Sequence, residues 1–337
     1  MNTACSQRQP ERDGIMSLFR TKRLYHAGIL ATLALLTAAP TGLQSQGARP
    51  VGTESPDSAL YERLSPLVQQ FRGRVGIYVR HLSSGRTVEI NADEMFPTAS
   101  MIKVPIMVAV FDAIERGELE FGQKLTYTDS LLYEGEDILG SFADSSEISL
   151  SKVLMLMISA SDNTAALWLQ HLAGTGTRIN EWLEQNGFDS TRVNSRTPGR
   201  QPNWEVYGWG QTTPREMAEL VTRIRQGGAV SRAASEAMYR LLSRIYWNGE
   251  ALSQIPPWIQ TASKQGAVSE SRSEVVLVNA PSGDYVFCVI TKDQEDESWD
   301  RDNEGYVLIR NVSRILWNHF EPDYPWSPPD GAERYVP

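Results

Sequence analysis

The order of patterned segments predicts an α+β fold: a five-stranded antiparallel sheet flanked by helices, joined to an all-helical lobe. Three observations carry this. RVGIYVRHL (74–82) and TVEIN (87–91) alternate apolar and polar residues around SSGR, which reads as a β-hairpin. From 100 to about 250 the period is mostly helical, as in SMIKVPIMVAVFDAIERG, SLSKVLMLMISA, DNTAALWLQHLAG and TPREMAELVTRIRQGG. Strand patterns then return in WIQTASKQGAV, EVVLVNA and DYVFCVITKD, followed by an amphipathic helix, EGYVLIRNVSRILWNHF. Strands from both ends of the chain close one sheet around a helical insertion. The cleft between the two lobes is where a site is expected.

SALYERLSPLVQQF (58–71) has helical spacing and is expected to pack on the sheet. The resulting domain runs over 58–320, with an α/β lobe from 58–99 and 258–320 and a helical lobe from 100–257. Residues 48–57 read as a polar linker, and the proline-rich 321–337 as an extended tail.

The first 47 residues carry Arg20, Lys22 and Arg23 ahead of an apolar run from about Ala27 to Ala39, with Ser45 and Gly47 where a leader protease would cut. This is the pattern of a signal peptide, with Met16 as an alternative start, and the run is short for a membrane span. Its removal leaves 27 basic and 39 acidic side chains, a net charge of −12. That balance argues against nucleic-acid binding. The expectation is a periplasmic or secreted monomer with no stable membrane anchor. Cys5 lies in the leader, so Cys288, within YVFCVIT, reads as a strand-core residue and no disulfide is expected. His81, His171 and His319 are spread along the chain without zinc-site spacing, and no Gly-x-Ser-x-Gly elbow is present.

One stretch points to chemistry. In PTASMIKVPI, Ser100 and Lys103 lie three apart at the head of an apolar helix, so their side chains can meet. A lysine in apolar surroundings is held toward its neutral form and can accept the serine proton. A Ser-x-x-Lys pair is expected about once by chance in a chain this long. A second copy does occur at Ser149 and Lys152, where Ser149 reads as a helix cap. The first copy, however, is followed by Ser161-Asp162-Asn163 at a helix break and by Lys264-Gln265-Gly266 on a strand, at intervals of 61 and 103 residues.

With these three motifs in this order the chain resembles the penicillin-recognising serine enzymes, the class A β-lactamases and D,D-peptidases. Their signatures are Ser-x-x-Lys, Ser-Asp-Asn and Lys-Thr-Gly, at intervals of roughly 60 and 100 residues in class A. The resemblance implies that Ser100 attacks a β-lactam or a D-Ala-D-Ala-type peptide, with Lys103 as base and no metal or organic cofactor. Ser161 would pass a proton to the leaving nitrogen, its acidity raised by Lys264. Asn163 would hold the acyl amide, and the backbone N–H groups of Ser100 and Ala267 would form the oxyanion hole. Gly266 would permit close approach of the strand, and Arg272 is a candidate for the substrate carboxylate.

The chain departs from that pattern twice. Gln265 stands where the family carries a hydroxyl, which puts substrate preference in question. The glutamate that activates the deacylating water in class A corresponds by constant offset to Thr197, and Glu205 is the carboxylate in that segment that could take its place. Two readings follow: an exported β-lactamase-like hydrolase, or a D,D-peptidase-like enzyme or drug sensor with a long-lived acyl-enzyme.

Overall fold

The computed structural model describes residues 52–135 and 137–337, so the expected leader lies outside the described residues. The chain enters through an edge strand β1 (Ser55–Pro56) and helix α1 (Ser58–Gln70), whose first turn is capped by Asp57 accepting from the Leu60 N–H at 3.0 Å. The hairpin follows as β2 (Arg74–His81) and β3 (Arg86–Ile90). A short β4 (Phe96–Pro97) leads into a 3₁₀ turn (Ala99–Ile102) that runs directly into α2 (Lys103–Glu115).

Beyond it come β5 (Lys124–Thr126), β6 (Glu147–Ser149), α3 (Leu150–Met155), α4 (Asn163–Leu172), α5 (Thr175–Gln185), β7 (Arg192–Val193) and α6 (Gln201–Tyr207). Then β8 (Gly210–Thr212), α7 (Pro214–Arg225) and α8 (Arg232–Leu242) lead to β9 (Thr261–Val268), β10 (Ser271–Val278), β11 (Tyr285–Lys292) and α9 (Glu304–Phe320).

The main sheet has six strands in the order β1-β3-β2-β11-β10-β9, one more than the five expected. The extra strand comes from the segment read as a linker: Ser55 and Pro56 pair with Arg86 and Thr87, in parallel. Two residues ending in proline carry no alternating pattern, so the strand left no signal. The other five pair antiparallel. The tail, expected to be extended, includes a 3₁₀ turn (Ala332–Tyr335) and is tied back where the Trp317 indole N–H donates to the Tyr324 carbonyl.

Every residue of β10 is buried, because both faces of the sheet are covered. Val276, Val278, Phe287 and Val289 pack under α1 and α9; Val275, Leu277, Cys288 and Ile290 pack on the side of the helical lobe. Cys288 is thus a strand-core thiol, its pKa pushed up by burial. α2 lies at the centre of that lobe and is apolar all round, with Val104, Ile106, Met107, Val108 and Val110 wholly buried. That explains why an amine placed at its first residue loses its water.

Behind the sheet lies a buried acid held by hydrogen bonds. Glu274 accepts from the Ala251 N–H (2.9 Å) and the Ser263 hydroxyl (2.8 Å), and burial pushes its carboxyl up to about 7. In the unfolded chain it ionises near 4.5. Between those two values the folded state holds more protons, so its contribution to stability falls as pH rises through about 7. Glu274→Gln, which keeps the shape of the neutral acid, is expected to match the wild type in denaturant unfolding at pH 4.5 and to exceed it at pH 8. Equal stabilities at both pH values would show that the carboxyl is not protonated by burial.

Candidate active site

The 3₁₀ turn that carries Ser100 is entered through Ala99 at φ +43°, which bends the chain sharply at the head of α2. Ser161 sits at the other break, where the last turn before it (Leu156–Ala160) is a π-helix and Ser161 itself adopts φ +63°. Such single wide turns are frequent at functional sites. Asp162 then caps α4 by accepting from the Ala165 N–H at 2.7 Å. Lys264 reaches the same place from β9, the edge strand of the sheet.

These elements bring two lysines and two serines together. Lys103 Nζ lies 3.0 Å from Ser100 Oγ, 3.1 Å from Ser161 Oγ and 2.7 Å from Asn163 Oδ1, and also meets the Ser161 carbonyl. Lys264 Nζ donates to Ser161 Oγ at 3.0 Å, to its neighbour's carbonyl at 3.0 Å and to Gln265 Oε1 at 3.3 Å. Both lysines are 0 % exposed. Among the described residues neither forms an ion pair with a carboxylate. Desolvation lowers Lys103 to about 7, against the smaller opposing pull of Asp137 and Asp162. Desolvation, with the charge of Lys103 beside it, also holds Lys264 well below its ordinary range, opposed by Glu274.

The partners around Lys103 define its working state. A neutral amine has two N–H donors and one lone pair. The Ser161 carbonyl and Asn163 Oδ1 can only accept, so they take the two N–H groups, and the lone pair is left for a hydroxyl proton. Ser100 supplies one at hydrogen-bond distance.

The oxyanion donors follow from strand geometry. Along an edge strand, alternate residues turn both backbone groups away from the neighbouring strand. Gln265 does so, since its carbonyl accepts from Lys264 Nζ, and Ala267, two residues on, presents its N–H on the same free edge. Gly266 lets this edge come close. A Cβ there would stand 2.8 Å from the Ser100 backbone nitrogen and 2.6 Å from the Thr98 carbonyl oxygen.

Ser100, Asn163 and Ala267 line a cleft of about 580 Å³, walled by Tyr133 and Trp209. The two rings meet edge to face, 5.2 Å apart. Asp137, which no sequence signal singled out, braces this wall: its Oδ2 accepts from the N–H groups of Asn163 (3.0 Å) and Thr164 (2.7 Å) and from the Thr164 hydroxyl (3.0 Å). It lies in a loop with several acidic residues and no spacing to distinguish it.

Other expected site residues lie elsewhere. Arg272 is fully buried, stacked between Trp299 and Tyr306, and its guanidinium donates to the carbonyls of Ser271 and Ser298, so it faces no cleft. Thr197 donates to the Ser195 carbonyl at 2.9 Å and borders a separate hollow on which Tyr133 and Trp209 also open. Glu205 stands exposed on α6, accepting from Gln201 at 3.2 Å, and does not line the cleft. Of the second Ser-x-x-Lys copy, Ser149 occupies the N-cap of α3, but its hydroxyl meets Ser151 rather than a backbone N–H. Among the described residues no group of three or more His, Cys, Asp and Glu side chains is arranged to hold a metal. No described helix is long and apolar enough to cross a membrane.

A sheet backed by helices on one face, with a serine–lysine pair at the head of a buried helix on the other, is the fold of penicillin-recognising serine enzymes. Solved structures with this fold include PBP-A, 27 % identical at a TM-score of 0.72 over 81 % of this chain and 99 % of that one. They also include a point mutant of PBP-A as an acyl-enzyme complex with penicillin G, 28 % identical at a TM-score of 0.72 over 81 % of this chain and 100 % of that one. The chain belongs to the beta-lactamase enzyme family, whose model matches residues 59–320. Among curated relatives, the beta-lactamase of Streptomyces albus G is 28 % identical over 303 residues, covering 85 % of this chain and 92 % of the relative. Beta-lactamase VEB-1 of Pseudomonas aeruginosa is 22 % identical over 269 residues, covering 77 % and 89 %.

Proposed function

We propose that the protein is an exported serine hydrolase that opens β-lactam rings through an acyl-enzyme on Ser100. The observation that carries this is the 3.0 Å approach of Ser100 Oγ to a wholly buried Lys103 whose pKa is near 7. Neutral Lys103 takes the Ser100 proton as Oγ bonds to the carbonyl carbon. The developing oxyanion is met by the Ser100 and Ala267 N–H groups. As the carbon–nitrogen bond breaks, Ser161 gives its proton to the nitrogen and regains one from Lys103, while Lys264 steadies the charge on its oxygen. Asn163 and the Tyr133–Trp209 wall receive the acyl side chain. Hydrolysis of the ester then needs a base for water, and Lys103, neutral again, is the group within reach of Ser100 that can serve.

A second reading is favoured by one observation: neither Thr197 nor Glu205 lines the cleft. With neither the residue at the class A glutamate position nor Glu205 at the cleft, the acyl-enzyme persists in this reading, as in a D,D-peptidase inhibited by a drug. A chromogenic cephalosporin separates the two. The β-lactamase reading predicts many turnovers per enzyme, with Glu205→Gln leaving the rate unchanged. A single stoichiometric burst followed by silence would reject it in favour of the peptidase-like reading.

A further inference from the structure

Two aromatic side chains beside Ser161 stand open to solvent: Tyr246 is 60 % and Trp247 42 % exposed. They follow α8 in the segment IYWNG, which is fastened to the helix break that presents Ser161. The Tyr246 N–H donates to the Ser159 carbonyl at 3.0 Å, and the Trp247 indole N–H to the Ala160 carbonyl at 2.8 Å. The two rings meet edge to face with centroids 5.2 Å apart. The indole is therefore held in place with its polar edge satisfied by backbone, and the Tyr246 ring packs edge-on against it. Much of the apolar surface of both rings stays open to solvent, which is the condition of a preorganised stacking platform.

The position of this platform relates it to the reaction. The leaving atom takes its proton from Ser161, so the departing group lies on the Ser161 side of the acyl carbon. The acyl group faces the Tyr133–Trp209 wall instead, and neither Tyr246 nor Trp247 lines that cleft. We infer that Tyr246 and Trp247 form a leaving-group subsite that receives a flat or apolar moiety attached to the departing nitrogen or oxygen. The inference rests on acylation of Ser100 and deepens the proposed function.

Two esters with one acyl group test it: phenylacetylglycyl-D-lactate and phenylacetylglycyl-D-phenyllactate. In both, the Ser100 Oγ–carbon bond forms, the carbon–oxygen bond to the hydroxy acid breaks, and the departing oxygen takes its proton through Ser161. They differ only by the ring. Wild-type kcat/KM is expected to favour the phenyllactate by about tenfold, a size that one stacked and partly buried ring supports. W247A should abolish the preference, lowering kcat/KM for the phenyllactate about tenfold more than for the lactate, and W247F, which keeps a ring but loses the indole N–H, should retain most of the preference. Equal losses for both esters in W247A would make Trp247 a mere clamp on Ala160 and overturn the subsite. Turnover of both esters by the wild type without preference would also overturn it. Failure of the wild type to turn over either ester, with Ser100 unlabelled by penicillin, would instead bring down the acylation reading and this inference with it.

Discussion

Exchange of Lys103 for methionine is expected to lower the rate of acylation by about 10²–10⁴-fold, the range lost when a positioned proton acceptor is removed. Methionine fills much of the same volume and leaves no buried amine, so the fold should survive. The wild-type acylation rate should rise with pH through about 7, as Lys103 becomes neutral, and reach a plateau; the variant should lack this limb. Stability should move the other way. Lys103 binds its proton more weakly folded than unfolded, so between about 7 and the ordinary 10.5 the unfolded chain holds more protons. Wild-type stability therefore gains from this group as pH rises across that window, and the full cost of charging the buried amine falls below it. Lys103→Met should be the more stable protein in denaturant titrations at pH 6. A variant that is both slower and less stable would make Lys103 a structural residue. Stopped-flow acylation and unfolding curves over the same pH series supply both readouts.

Gly266→Ala should be nearly as damaging by a different route. One added methyl group would stand 2.6–2.8 Å from the Thr98 carbonyl oxygen and the Ser100 nitrogen, both backbone atoms that cannot swing aside. The edge of β9 must therefore back away from the nucleophile. The Ala267 N–H and the Ser161–Lys264 contact move with it. A displacement near 1 Å in a preorganised site costs on the order of 10²-fold in rate. The cost should appear in kcat for acylation, while the thermal midpoint drops only modestly, because the strain sits at a sheet edge. Retention of more than half the wild-type rate would mean that Ser100 and the β9 edge do not act as one unit.

The sheet was legible because its strands announce themselves. Val75 to Leu82 and Tyr285 to Thr291 mix alternation with long apolar runs, and five of the six strands lie where those patterns are. The edge strand Ser55–Pro56 is held by backbone pairing alone and buries neither side chain, so nothing in its residues marks it. Ser100, Lys103, Ser161, Asn163 and Lys264 were legible because three short motifs recur at fixed intervals, and the fold gathers those five side chains. Residues chosen one at a time fared differently. Arg272 is marked in the sequence only by its charge and its place on a strand, but a residue's face depends on strand register and on what packs behind the sheet. Its partners there, Trp299 and Tyr306, are distant in sequence. The offset to Thr197 assumed a loop of constant shape, whereas this loop contains helix α6 and sends Tyr207 and Trp209 to the cleft. Asp137 and Trp247 meet backbone groups of Asn163, Thr164 and Ala160 around the break at Ser161, and such contacts leave no trace in residue type or spacing.

Intact-mass analysis with peptide mapping after brief exposure to penicillin G tests the central claim most directly. One drug mass should appear on the peptide that contains Ser100, and none should appear in a Ser100→Ala variant that unfolds at the wild-type midpoint. A wild-type enzyme that stays unlabelled at saturating drug, or an adduct that maps to another side chain and persists in Ser100→Ala, would contradict the account.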